Sequence, residues 1–313
     1  KAISLKSMHY TCILVGACPI FIGVYRYTML SQFFVSDPAP EFLVNGTFNY
    51  GLVTLSVVIA IFASFFVLQL RIFADANRDT SCYKFALISS SAAFSGGVWS
   101  MHFIGVLAFS LCVEVDYDLT ITALSFIPVL TASIIAFHLI RGYKVSAQTQ
   151  FISALLLGSG IGLMHYSGME AMQLGPKLAY DPVWFVVSVV IAVSLAWISL
   201  ASHIKLRKPN ATTAQGIKAC FIAAIIMGLA VSGMHYTGMH AARFISQTPY
   251  YTEQVRLDYV IELALAVAIV SVLLISVVGL LHSLMRYRII LNQQKVSQSR
   301  LEAVLNTAVD GIV

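Results

Sequence analysis

The chain has 313 residues, and only 11% of them are charged, whereas soluble domains carry about 25%. Hydrophobic residues make up 58% and the mean hydropathy is +0.84, which excludes an ordinary soluble protein and predicts a polytopic membrane protein. The net charge is +5, but the basic residues lie in short loops between apolar runs, so a nucleic-acid groove is excluded. The five cysteines form no Cys-x-x-Cys pair, so neither a disulfide framework nor a thiolate zinc site is indicated.

The first segment, residues 1–28, is a leader of uncertain nature. It contains an apolar run from Tyr10 to Tyr25, which fits a signal sequence, an extra span or translated upstream sequence. Met29 is the predicted true start. We expect residues 29–48 to form an extracytoplasmic N-terminal arm.

Seven apolar runs follow, each long enough to cross a bilayer with a hydrocarbon core of about 30 Å. They predict an all-α fold, a bundle of seven transmembrane helices, within a membrane domain over residues 49–282. The predicted spans are 50–70, 85–111, 119–140, 150–174, 183–203, 217–242 and 259–282.

The basic residues predict the orientation of the bundle. Thirteen of them follow the odd-numbered spans, whereas only Lys177, Arg243 and Arg256 lie on the other side beyond residue 28. Because loops rich in Lys and Arg stay in the cytoplasm, the C-terminus is predicted inside and the N-terminal arm outside.

A threefold repeat emerges when the second, fourth and sixth spans are aligned on a Met-His pair. The segments read SGGVWSMHFIGVLAF, LGSGIGLMHYSGMEAM and GLAVSGMHYTGMHAA. Each pair is followed by an aromatic residue and then by a glycine at the same offset, so a hairpin of helices is predicted to be used three times. The three histidines, His102, His165 and His235, should therefore lie at one depth, near the outer surface.

Histidine inside a membrane span is costly unless it faces the bundle interior and finds a partner, so each of these three predicts a functional site. Residues four apart share a helix face, which places Met169 with His165 and Met239 with His235. Imidazole and thioether are the ligands that a soft ion such as Cu(I) selects, so copper is the favoured metal. Two alternatives stay open at this point: methionines that only fill the core, and a haem held by two histidines.

Small residues precede the motifs at helical spacing. Gly158 and Gly162 form one small-xxx-small pair, and Gly96 and Ser100 form another. Such pairs allow two backbones to approach closely, so we expect tight helix contacts at these positions.

The three segments resemble the signature of the MHYT domain, a bacterial integral-membrane sensor named for the string that stands here as Met234-His235-Tyr236-Thr237. The resemblance covers about residues 50–282. It implies a sensor in the bacterial inner membrane that binds copper through Met, His and Tyr and responds to a diatomic gas (O2, CO or NO) or to redox change. The positions that match the motif are Met101, His102, Met164, His165, Tyr166, Met169, Met234, His235, Tyr236 and Met239. The first repeat departs from the pattern, with Phe103 for Tyr and Val106 for Met, so it offers fewer ligands.

Beyond the last span the pattern turns polar. Residues 283–300 predict a cytosolic signalling helix whose spaced apolar positions suit pairing in a homodimer, and residues 301–313 resemble the beginning of a PAS domain.

P-loop, GxSxG and HExxH motifs are absent, so no enzyme is expected in this segment. Proteins that resemble this chain often continue into domains for cyclic-di-GMP turnover, which are the partners expected in the same chain. The Met/His cluster stops in the outer part of the spans, which favours a binding site over a copper transporter.

Overall fold

The computed structural model describes residues 33–35, 42–76, 81–111, 115–141, 145–206, 213–246 and 257–310. Eight helices and six short strands make up these parts of the chain. The leader at 1–28 and half of the N-terminal arm lie outside the described residues.

The helices form a membrane bundle, as predicted. They are α1 (Tyr50–Ala76), α2 (Ser81–Leu107), α3 (Leu119–Leu124), α4 (Phe126–Leu139), α5 (Ala147–Glu170), α6 (Pro182–Leu206), α7 (Thr213–Ala241) and α8 (Leu257–Asp310). Six described segments are long and apolar enough to cross a membrane: Tyr50–Leu70, Leu119–Leu139, Ala147–Glu170, Pro182–Lys205, Gly216–Ala241 and Glu262–Leu280. The remaining long helix, α2, is equally long but rich in serine and glycine. It lies inside the bundle, where its serines at 90, 91 and 95 are fully buried among other helices.

The third predicted span is two helices in line, α3 and α4. The break falls at Ser125, which ends α3 and begins α4. Its cause is Pro128, which has no N–H to donate to the carbonyl of Leu124 and whose ring crowds that carbonyl.

Three of the helices begin with the same cap. The side chains of Asn49, Asp118 and Asp181 each accept hydrogen bonds from the backbone N–H groups two and three residues later, at 2.8–3.2 Å. These bonds satisfy donors that the first turn of a helix leaves open, so they fix where α1, α3 and α6 start.

The six strands pair at one end of the bundle, here called the strand end. They are β1 (Thr47–Phe48), β2 (Phe109–Ser110), β3 (Asp116–Tyr117), β4 (Met172–Gln173), β5 (Lys177–Tyr180) and β6 (Ala242–Ile245). The antiparallel pairs are β1 with β2, β3 with β4, and β5 with β6, with Thr47 opposite Ser110, Asp116 opposite Gln173 and Lys177 opposite Ile245. Each pair joins the end of an inner helix to the start of an outer one. The inner helices are α2, α5 and α7, and the outer ones are α1, α3 with α4, and α6.

These strands explain why the inner helices end earlier than predicted. The backbone N–H groups of Asn49, Asp118 and Asp181 donate to the carbonyls of Ala108, Ala171 and Ala241 at 2.8–2.9 Å. Each of these carbonyls lies six residues after a motif histidine. The apolar residues that follow therefore continue as strand, and the expected ends at 111 and 174 were wrong by four residues.

A closed ring is formed by α1, α2, α4, α5, α6 and α7. Within it α2, α5 and α7 also contact one another at the centre. The ring closes because α7 packs against α1 as well as α6, while α8 lies outside and contacts α1 and α2. Small residues allow the close approach: a Cβ on Gly158 would lie 2.8 Å from the backbone nitrogen of Val193. The predicted close contact at Gly96 was wrong, since nothing lies within 4 Å there, and Gly97 meets Ala63 instead.

Candidate metal centre

The three motif histidines meet on the axis of the ring. His102 comes from α2, His165 from α5 and His235 from α7, and their side chains are 0%, 1% and 2% exposed. Their Nδ1 atoms lie 3.1 Å apart for the pairs 102–165 and 165–235, and 3.3 Å apart for 102–235. The prediction of one common depth is confirmed. We call these three atoms the Nδ1 triangle.

The imidazole rings are arranged like the blades of a propeller. Their centroids lie 5.0–5.2 Å apart and their planes cross at 83–90°. The Nε2 atom of each ring faces the motif glycine of another repeat: His102 faces Gly168, His165 faces Gly238 and His235 faces Gly105. A Cβ at these glycines would lie 2.3–2.5 Å from Nε2, so only glycine leaves room for the ring.

The Nδ1 triangle has the donor set that could hold a cation. A neutral imidazole presents a lone pair on one nitrogen and a hydrogen on the other. The Nε2 atoms face backbone and have no hydrogen-bond partner among the described residues. When all three rings carry their hydrogen on Nε2, three Nδ1 lone pairs converge within 3.3 Å, and a cation between them removes their mutual repulsion. Nitrogen ligands of a tetrahedral ion with bonds of about 2.0 Å lie about 3.3 Å apart, which matches the triangle.

The aromatic residues after the histidines turn their polar ends outward. The Tyr166 hydroxyl lies 2.8 Å from Ser188 Oγ on α6, and the Tyr236 hydroxyl lies 2.7 Å from Ser56 Oγ on α1. Both serines donate their own hydrogen to the carbonyl three residues earlier at 2.7 Å, so the tyrosines are the donors. Both predicted tyrosine ligands are therefore hydrogen-bonded to neighbouring helices.

The serine partners were missed in the sequence, although a signal for them exists. Ser56, Ser125 and Ser188 each lie seven residues after a capping Asn or Asp, so the outer helices repeat as clearly as the inner ones. Ser125 donates to the carbonyl of Thr122 at 2.7 Å, as its two equivalents do to theirs. In the first repeat the aromatic residue is Phe103, which has no hydroxyl to donate and packs on Trp99 at 4.4 Å.

The predicted methionine ligands are all buried and fall into two groups. Met101, Met164 and Met234, which precede the histidines, pack in the large apolar cluster of the bundle. Met169 and Met239 pack in a second cluster at the strand end, together with Val106 of the first repeat. Since these three residues lie one helical turn beyond the histidines, they form the layer between the Nδ1 triangle and the strand end.

Two tyrosines of the strands, the half-buried Tyr117 and the buried Tyr180, lie above this layer. Burial raises the pKa of Tyr117 to about 12. Burial also raises the pKa of Tyr180, and the neighbouring Tyr166 and Glu170 add to the effect. Both phenols therefore stay neutral in ordinary buffers.

A family model matches the chain three times, at residues 96–152, 158–216 and 228–289. The family is MHYT, described as a bacterial signalling protein N-terminal repeat. The matches cover more than half of the chain and coincide with the three repeats around the triangle, so the chain belongs to the MHYT family.

Curated relatives are signalling proteins. The bifunctional diguanylate cyclase/cyclic di-GMP phosphodiesterase MucR of Pseudomonas aeruginosa is 38% identical over 204 residues, 64% of this chain and 29% of the relative. The signaling protein YkoW of Bacillus subtilis and the cyclic di-GMP phosphodiesterase NbdA of Pseudomonas aeruginosa are each 30% identical, over 64% of this chain and 25% of their own length. The chain thus spans less than a third of these relatives. No solved structure matches it.

Proposed function

We propose that this MHYT domain holds a metal ion, copper, at the Nδ1 triangle and senses a diatomic gas or a redox change there. The observation that carries the proposal is the convergence of His102, His165 and His235 within 3.3 Å in a buried site. Three imidazoles would hold the ion, which would leave a fourth coordination position for the ligand. A bound copper ion would supply redox change and affinity for small gaseous ligands.

The surroundings favour a soft ion over a hard one. The donors are nitrogen atoms, and the layer next to them contains the thioethers of Met169 and Met239. Imidazole and thioether suit copper, whereas magnesium and calcium prefer carboxylate and carbonyl oxygen. Zinc also accepts three histidines, so metal analysis must separate the two ions.

The geometry disfavours the alternative of a bis-histidine haem. A haem lies flat between two imidazoles on opposite faces of its macrocycle. Here all three Nδ1 atoms converge on one point, and each ring is backed by a glycine of another helix. The neighbouring helices leave no slot for a macrocycle between the rings.

The charge pattern supports an orientation with the strand end outside, in the inner membrane of a bacterium. The described strands at the strand end contain Lys177 in β5 and Arg243 in β6, and Arg243 is paired with Asp181 at 3.4 Å. The opposite end carries most of the basic residues, as expected for the cytoplasmic side. Helix α8 therefore leaves the membrane into the cytoplasm.

The relay from the site to the cytoplasm is assigned to α8. Ser100, two residues before His102, is hydrogen-bonded to Ser271 of α8, and Ser271 also donates to the carbonyl of Val267 at 2.5 Å. Ala264 and Ala268 of α8 are buried in the cluster that contains Ile104 of α2. The helix then continues without a break to Asp310 and, at 54 residues, is about 80 Å long. A movement of α2 is thereby passed to the cytosolic end.

The output is proposed to be cyclic-di-GMP turnover by cytosolic domains in the same chain, since MucR and NbdA are named for that chemistry. The segment itself would be a sensor and not an enzyme. The predicted PAS start at 301–313 begins within α8, and its last three residues lie outside the described ones. A homodimer formed through residues 283–300 would bring two output domains together.

The test is metal analysis with an optical spectrum on the purified protein, alongside a triple variant, His102→Gln, His165→Gln and His235→Gln. We expect copper in the unchanged protein and none in the triple variant. His138→Gln is the matched control, because His138 is exposed on α4 and bonds Tyr83 at 3.3 Å. Copper retained by the triple variant, or a Soret band that depends on the same histidines, would refute the proposal.

A further inference from the structure

The Nδ1 triangle is closed towards the cytoplasmic half of the bundle. One turn before the histidines lie Val98, Ile161 and Val231, which are 1–2% exposed. A second turn back lie three more buried apolar side chains, Phe94, Leu157 and Met227. An ion with no hydration shell could not cross two packed apolar layers at acceptable cost, so loading must come from the strand end.

The strand end can be divided into three sectors, one over the histidine of each repeat. Two of these sectors are also closed. Over the second repeat, Tyr180 packs on Phe33 at 4.9 Å and on Tyr166 at 5.0 Å, and Phe185 packs on Tyr166 at 4.2 Å. Met169 beneath them is 0% exposed. In the first repeat, Val106 is 3% exposed.

The third sector, between α7 and α1, is open. A cleft of about 830 Å³ lies there, and its lining includes Tyr236 and Met239 from the layer around the site. The exposed His240 also lines the cleft, packed edge-on against Trp184 at 4.5 Å, and the loop at Asn45 forms part of its wall. Met239 itself is 4% exposed, so the cleft reaches the layer next to the triangle.

We propose that the cleft is the access route for a soft metal ion, Cu(I) or Ag(I), and that His240 and Met239 pass the ion to His235. An exposed imidazole and then a buried thioether stand in sequence between solvent and the triangle, and both are ligands for soft ions. Met239 lies one turn from His235 on the same helix face, so the final transfer is between adjacent side chains. This inference rests on the proposed metal binding at the triangle and adds the path by which the site is filled.

The experiment measures the rate of copper transfer to the protein in lipid nanodiscs. Cu(I) is supplied as its coloured bicinchoninate complex, and loss of colour is followed in a stopped-flow instrument. We expect Met239→Leu and His240→Gln to slow transfer by about tenfold, a barrier increase of about 1.4 kcal/mol, with the final copper content unchanged. The matched control is Met172→Leu, a thioether of the strand end in the second repeat that does not line the cleft, which should load at the normal rate.

A second variant blocks the cleft without removing a ligand. Asn45→Cys, in a background with the native cysteines replaced by serine, is capped either with N-ethylmaleimide or with the much larger fluorescein maleimide. The large cap should slow loading and the small one should not. Unchanged rates in Met239→Leu, His240→Gln and the capped protein would overturn the access route while leaving the metal site standing. Failure of the unchanged protein to take up copper would overturn both.

Discussion

Replacing Gly105 by alanine tests whether the glycines of the motif hold the imidazoles in place. A Cβ at Gly105 would lie 2.3 Å from Nε2 and 2.7 Å from Cδ2 of His235. Contact becomes ordinary only at 3.4 Å, so the ring must move by about 1.1 Å. Because Nε2 and Nδ1 lie on opposite sides of the ring, the push is directed at the other two Nδ1 atoms, which are already 3.1 and 3.3 Å away.

Both the fold and the site should respond to this change. Overpacking of a tight core costs about 1–3 kcal/mol, and alanine returns up to about 1 kcal/mol through its higher helix propensity. We therefore expect a modest loss of thermal stability. A displacement of about 1 Å is far outside the tolerance of a metal–nitrogen bond, so copper affinity should fall by at least about tenfold.

The assay is competition with a Cu(I) chelator, together with thermal unfolding in the same detergent. The matched control is Gly96→Ala on the same helix, where nothing lies within 4 Å and the change should be neutral or slightly stabilising. A Gly105→Ala protein that binds copper as tightly as the control would refute the reasoning, because it would show that the position of the His235 ring does not determine binding.

Three further predictions follow from other contacts. Gly158→Ala should lower thermal stability by about 2–3 kcal/mol with copper affinity retained in the folded protein, because its Cβ would meet backbone atoms of Val193, which cannot turn aside as a side chain can. Tyr236→Phe should lower the free energy of unfolding by about 1 kcal/mol, because the hydrogen bond to Ser56 is lost. The variant should retain copper if the hydroxyl is not a ligand. Thermal melting and copper analysis check these two expectations. Since burial raises the Tyr117 pKa to about 12 from an unfolded value near 10, its contribution to stability is complete below pH 10 and is lost as the pH rises towards 12. Alkaline unfolding of Tyr117→Phe should therefore be shifted to higher pH, and an unchanged midpoint would contradict the assignment.

The sequence predicted the centre of the molecule better than its edges. Alignment on the Met-His pairs was enough to place His102, His165 and His235 together, because equal spacing on three parallel helices means equal depth. It also showed a shared glycine, but it could not show that Gly105 supports the ring of a different repeat, since that contact depends on the order of helices around the ring. The strands were missed because β structure of two to four residues carries too little periodicity to recognise.

The repeat in the outer helices was overlooked for a different reason. Asn49, Asp118 and Asp181 are small polar residues at helix starts, where caps are common, and each looks ordinary when taken alone. Only the recurrence of serine seven residues later marks them as a set. The hydrogen bonds of Tyr166 and Tyr236 follow from that recurrence. These bonds explain why two tyrosines that the motif predicts as metal ligands point away from the Nδ1 triangle.

The three nitrogen atoms come from three helices, so on the proposed function a change at the metal is a change in distances between helices. If positive charge at the centre decreases, the lone pairs 3.1–3.3 Å apart repel more strongly and α2, α5 and α7 are driven apart. In a fully symmetric ring this expansion would have no direction. Helix α8 breaks the symmetry, because it packs on α1 and α2. The movement of α2 is the one that α8 receives, through Ser100 and Ser271, and this makes His102 the histidine whose displacement should matter most for the signal.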